Sequence, residues 1–200
     1  KKFDLIIANN VINHMDELKK SLKIVKTLLS KEGMFIFEQP YWLDTILTKR
    51  YDQIYHEHIT YFTVTFAKNL AKILDMDFHD FEIINYHGKS IRLYFVKKSN
   101  NNIYKPNRGK ISKQIHLEKK LNLFNEVYYK KFMENIIRSR NKILEKILNH
   151  KNNGNKIICI GAAAKSNTWL NFHKLDSSII SYITDRSPNK INHLSPPYHL

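Results

Sequence analysis

"FDLIIANN", residues 3 to 10, decides how the chain is read. The run FDLIIA stops at two asparagines, the pattern of a buried parallel strand closed by turn-forming residues. Leu18, Leu22, Val25 and Leu29 then recur at three- and four-residue steps, which predicts an amphipathic helix. Gly33 stands where a C-terminal cap is expected. MFIFE, residues 34 to 38, reads as a second strand stopped by Pro40.

Residues 62 to 77, FTVTFAKNLAKILDMD, read as another helix. FHDFEIINY (78 to 86) and IRLYFV (91 to 96) read as two strands joined through HGKS. Strand, helix, strand, helix and a closing strand pair predict an α/β sheet with a hairpin at one edge.

Beyond it, SNNNIYKPNRG (99 to 109) is a loop, and residues 110 to 149 are a long, interrupted helical stretch. Ile115, Leu121, Phe124, Tyr128, Phe132, Ile136, Ile143 and Ile147 mark its apolar side. KIICIGAAAKSNTWLNF (156 to 172) opens a new strand, small-residue turn and helix, and IISYITD (179 to 185) is the next strand. A chain that opens on an interior type of strand and closes in SPPYHL is expected to be a piece of something longer.

Composition narrows the class. With 42% hydrophobic and 12% aromatic residues, 200 residues can bury a real core. No apolar run approaches the roughly 18 residues of a membrane span, and KKFDLIIANN lacks the features of a signal peptide. A single cysteine, Cys159, gives neither a disulfide framework nor a zinc-ligand set, so a reducing cytoplasm is the expected setting. The net charge of +15 is spread over every segment. That spread points to solvated surface and the steering of anions, and argues against dedicated nucleic-acid binding.

Open α/β sheets bind ligands at the carboxyl ends of their strands. ANNVINH (8 to 14) and EQPYWLD (38 to 44) lie at such ends. His14 is placed for the mouth of a crevice, or else is an exposed helix-start residue. YDQIYHEHITYF (51 to 62) crowds two histidines around a glutamate. His56 or His58 could take a proton near neutrality, with Glu57 orienting a neighbour and a tyrosine donating to an oxyanion. Or the stretch could serve only a capping or structural role, or be half a metal site that no second cluster completes. In an extended segment His56 and His58 share one side; in a helical turn Tyr55 and His58 meet. GAAAKSNT (161 to 168) could bring backbone N–H groups and Lys165 to a phosphate, or could serve only close strand–helix packing. It is neither a Walker A loop nor a GxGxxG fingerprint.

In their order, ANNVINHMDEL, FEQPYWLD, YDQIYHEHITYF, YHGKSIRLY, GAAAKSNTWLNF and DRSPNK resemble the sugar C-methyltransferases. These enzymes use S-adenosylmethionine to build branched nucleotide-linked deoxysugars. The resemblance implies the second half of a class I, Rossmann-like methyltransferase sheet over residues 1 to 98. A helical linker over 99 to 154 and the truncated start of a second Rossmann-like domain over 155 to 200 would follow. A zinc module and the Gly-rich cofactor loop would precede Lys1, so zinc is expected only there, and this piece alone would not turn over.

By the same resemblance His58 is the base, Tyr55 and Glu57 position the substrate or polarise its carbonyl, and His14 faces them. Asn9 and Asn10 would line the methionine end of the cofactor. Gly161, Lys165, Asn167 and Thr168 would lie near the nucleotide-sugar, with His87 and Arg92 as further candidates. The family has a glutamate at Asn13 and glycines at Lys89 and Ser166, which bears on substrate fit. The alternatives are a methyltransferase-like protein acting on another small acceptor, and a non-catalytic remnant binding an anionic partner.

Overall fold

Strand β1 (Phe3–Asn9) pairs in parallel with β2 (Leu29–Pro40), and helix α1 (Leu18–Leu28) connects them. This is a computed structural model, and it describes residues 1–86, 88–98, 103–190 and 193. Helix α2 (Trp42–Leu47) and helix α3 (Val64–Ile73) follow, then strands β3 (Met76–Ile84) and β4 (Ser90–Lys97). β4 pairs antiparallel with both β2 and β3, so the sheet runs β1-β2-β4-β3. The expected α/β sheet with a hairpin at one edge is what forms.

Gly33 does not cap a helix. α1 ends at Leu28, and Leu29 is already extended and paired with Phe3. β2 therefore starts at Leu29, and its register with β1 shifts before resuming at Leu5 and Met34. The glycine is there for close approach, since a Cβ at position 33 would stand 2.8 Å from the Phe3 carbonyl oxygen.

One face of the sheet carries Phe35, Phe37, Leu93 and Phe95, all buried. Phe37 meets Phe62 and Phe95 edge to face, with centroids 5.7 and 5.3 Å away. Each such side chain contributes about 1.5–3 kcal/mol by leaving water. β1 occupies one edge and leaves Phe3, Leu5 and Ile7 exposed.

The helical stretch breaks into α4 (Arg108–Lys120) and α5 (Glu126–Asn152), with Asn122 in left-handed backbone between them. Leu123 is buried at the break, whereas Phe124, expected on the apolar side, is 56% exposed. The described residues divide into two compact units, Lys1–Lys49 with His56–Tyr128, and Arg50–Tyr55 with the chain from Tyr129 onward. The segment expected to be a linker is thus shared: α4 packs with α3 and β3 in the first unit. Buried Ile111 and Glu118 hold it there.

In the second unit β5 (Ile157–Ile160) and β6 (Ile180–Thr184) are parallel, with α6 (Ala164–His173) between them in sequence. Leu170, Leu175 and Ile180 form its core, flanked by Leu144 and Ile147 of α5. Tyr51 belongs to this unit, its ring 5.0 Å from Phe172. Among the described residues no helix is long and apolar enough to cross a membrane.

Candidate active site

At the carboxyl end of β1 the chain turns sharply. Asn10 takes left-handed backbone (φ 51°), which asparagine tolerates better than most residues, and its N–H donates to the Glu38 carbonyl at 2.8 Å. A single 3-10 turn, Ile12–His14, follows. It buries Ile12 and Asn13 and leaves His14 exposed. The Asn13 carbonyl then accepts from the N–H groups of Ile59 (2.9 Å) and Thr60 (3.2 Å).

Those two bonds bring the YHEH stretch to the strand end. His14 and His58 meet edge to face, with centroids 5.1 Å apart and planes at 68°. His58 is half-buried and also approaches Tyr61 (6.4 Å), which packs on Trp42 at 4.4 Å. The stretch is neither a strand nor a helical turn. Residues 56 and 57 form a turn, with His56 and Glu57 exposed on it, and residues 58 to 60 have no regular structure. Tyr55 groups with the second unit. Two neighbouring imidazoles at a strand's carboxyl end can accept a proton and hand it on.

Asn9, Glu38, Arg92 and Glu82 are register partners across β1, β2, β4 and β3, one polar row over the sheet. Arg92 donates from Nε (3.2 Å) and Nη2 (3.0 Å) to the buried Glu38 carboxylate and lies 3.5 Å from Glu82. Hydrogen bonding with Tyr94, then with Glu38, holds the guanidinium above its ordinary value. Arg92 is committed to these carboxylates, and a substrate phosphate would have to compete with them. His87 lies outside the described residues. Nearby, Lys89 adopts φ 77° and its ammonium pairs at 3.0 Å with Asp44, which is 7% exposed.

In the second unit Gly161 has φ 93° and donates its N–H to the Thr184 carbonyl at 2.6 Å. The next amide, Ala162 N–H, donates to the Asp185 carboxylate at 2.7 Å. Hydrogen bonds from Ser187 and Ala162 hold that carboxyl below its ordinary value. The small-residue turn therefore already carries an anion from its own chain. Lys165, Asn167 and Thr168 are half-buried on the first turns of α6. With the Gln53 amide oxygen turned toward them, Lys165 Nζ and Arg50 Nη2 each donate to it at 2.7 Å. Burial pushes the Cys159 thiol up, in keeping with a small apolar role.

A family described as the C-methyltransferase C-terminal domain matches residues 85–200, and a methyltransferase domain matches residues 1–76. The chain belongs to the C-methyltransferase family. It is 22% identical over 192 residues to the C-methyltransferase NovU of Streptomyces niveus, covering 96% of this chain and 45% of that protein. The chain spans under half the length of that relative. Among solved structures it is similar to the magnesium protoporphyrin IX methyltransferase of Synechocystis PCC 6803 with bound SAH. The identity there is 13% and the TM-score 0.38, over 48% of this chain and 46% of that one.

Within this C-methyltransferase chain, sequence reasoning finds His14 and His58 but misses the residues that hold them. Tyr41, fully buried, donates its hydroxyl to Glu118 at 2.7 Å and accepts from Gln114 at 2.8 Å. Burial, then the charge of Glu118, pushes the phenol well above its ordinary value, so it stays a donor. Glu118 sits in the run HLEKK, which reads as a solvated helix face, so no local signal marks it. Asn13 Oδ1 and both amide atoms of Gln39, at the same end of the sheet, are buried without a hydrogen-bond partner among the described residues.

Proposed function

We propose that the protein carrying this chain transfers a methyl group from S-adenosylmethionine to the carbon beside the keto group of a nucleotide-linked deoxysugar. The reading is carried by the meeting of His14 and His58 at 5.1 Å, at a strand end where α/β enzymes bind ligands. Membership of the C-methyltransferase family supports the reaction type. The motif order that resembles the sugar C-methyltransferases supports the substrate class.

The amide side chains of Asn9 (exposed) and Asn10 (half-buried) offer both donors and acceptors at the β1 end, which fits the zwitterionic end of the cofactor. When bound, S-adenosylmethionine supplies a methyl group on a positively charged sulfur, open to attack by carbon. His58 removes the proton from the carbon next to the ketone, and the C–H electron pair becomes the enolate. That carbon takes the methyl group as the sulfur–methyl bond breaks, the bond's electron pair staying on sulfur as a neutral thioether, while the proton rests on an imidazole nitrogen of His58. His14 is placed to pass it to solvent. Glu57 orients the substrate, and the Tyr55 hydroxyl is the candidate donor to its carbonyl. In the second unit Lys165, Asn167 and Thr168 are the candidates for the nucleotide's diphosphate, which a positive charge suits, while the Gly161 N–H stays bonded to Thr184.

The test is His58→Ala and His58→Gln in the full-length protein. Methyl transfer is expected to fall by about 10²–10⁴-fold, the contribution of a general base, with cofactor binding by calorimetry retained. Transfer at the parental rate would reject His58 as the base.

A further inference from the structure

We infer that Glu118, from the stretch matched by the C-methyltransferase C-terminal domain, is a positioning residue for His58. The inference rests on the reading of His58 given above. Glu118 is 0% exposed, yet its helix is otherwise rich in charge facing water. Its two oxygens accept four hydrogen bonds. Oε1 takes Tyr41 Oη and the Val64 N–H, both at 2.7 Å. Oε2 takes the Thr65 N–H at 2.9 Å and the Thr65 hydroxyl at 2.5 Å. A carboxylate has about four such acceptor sites, and all are used.

These bonds complete the start of α3. Thr63 accepts from the Phe66 N–H at 2.9 Å, so the first three amides of the helix, Val64 to Phe66, all have side-chain acceptors. Negative charge is also favoured at a helix N-terminus. On the other side Tyr41 bridges to Phe62, and the Trp42 N–H donates to the Phe62 carbonyl at 3.0 Å. Residues 59 to 63 therefore run between two anchors. One is the Asn13 carbonyl, which takes Ile59 and Thr60; the other is Glu118, which fixes Tyr41 and Val64. His58 is the residue immediately before this strip. Loosening Glu118 frees the strip's far end and lets the His58 ring drift from His14.

The test is Glu118→Gln in the full-length protein, with Thr65→Val as a milder variant that keeps both backbone bonds. Amide hydrogen exchange at Ile59 and Thr60 should speed up by about tenfold or more while the β2 and β4 amides keep their protection. Turnover should fall by about ten- to a hundredfold with KM for the methyl acceptor nearly unchanged, as for a misplaced catalytic group. If Glu118→Gln does not fold, the same exchange pattern in Thr65→Val, weaker in size, carries the test. Parental exchange at Ile59 and Thr60 in the folded variant overturns the inference, whatever turnover does. Faster exchange and lost turnover in the Glu118 variant, beside parental turnover in His58→Ala, would instead remove His58 as the base and leave Glu118 as the anchor of the strip.

Discussion

The His58 ring stands edge-on to His14, 5.1 Å between centroids, because the Asn13 carbonyl takes the amides of Ile59 and Thr60. The contact is thus a consequence of backbone pairing, and that pairing depends on neither ring. His14→Ala should leave the Ile59 and Thr60 bonds intact and lower turnover less than His58→Ala does, by about tenfold. Paired measurements of kcat decide it: equal losses in the two variants would make the rings one functional unit.

A side chain at Gly33 requires the backbone of β1 to shift. Gly33→Ala puts a Cβ 2.8 Å from the Phe3 carbonyl oxygen, a backbone atom that moves only with β1. The expected cost is about 1–3 kcal/mol, that of overpacking. Denaturant unfolding measures it, and a midpoint equal to the parent would show that β1 shifts freely.

Lys89 sits at φ 77°, a conformation glycine adopts at less cost, and its ammonium neutralises the largely buried Asp44. Lys89→Ala loses the pair and keeps the backbone strain. Lys89→Gly loses the pair and relieves the strain. The glycine variant should be the more stable of the two by about 1 kcal/mol. If alanine is the more stable, the left-handed conformation of residue 89 is not retained.

His173 is fully buried, stacked on Trp169 at 3.9 Å, with Nε2 lacking a hydrogen-bond partner among the described residues. Burial pushes its imidazole below the ordinary value of about 6.5. The unfolded chain therefore binds the proton at higher pH than the folded one. Stability of the second unit should be fully present above about 6.5 and be lost as pH falls toward the lower folded value. Trp169 fluorescence in urea, followed from pH 7.5 to about 5, reports it. A pH-dependence unchanged in His173→Phe would assign the loss to other groups.

The type of most elements was legible in the sequence because it depends on local period and punctuation; α2 goes unread, and Met76 and Asp77, read as helix, open β3. FDLIIA followed by two asparagines is β1, the spacing of Leu18, Leu22 and Val25 is α1, and the run FTVTFAKNLAKI holds α3, though its cap at Thr63 goes unread. The residue types at the candidate site were legible too, since His14 and His58 stand beside strand ends and turns. Tertiary structure alone decided that these rings meet, that Gly33 serves strand contact, and that Glu118 leaves a lysine-rich face to close the start of α3. Each is a contact between residues far apart in the chain. Local periodicity says which face of an element is buried, but not which donors wait on the other side of the core.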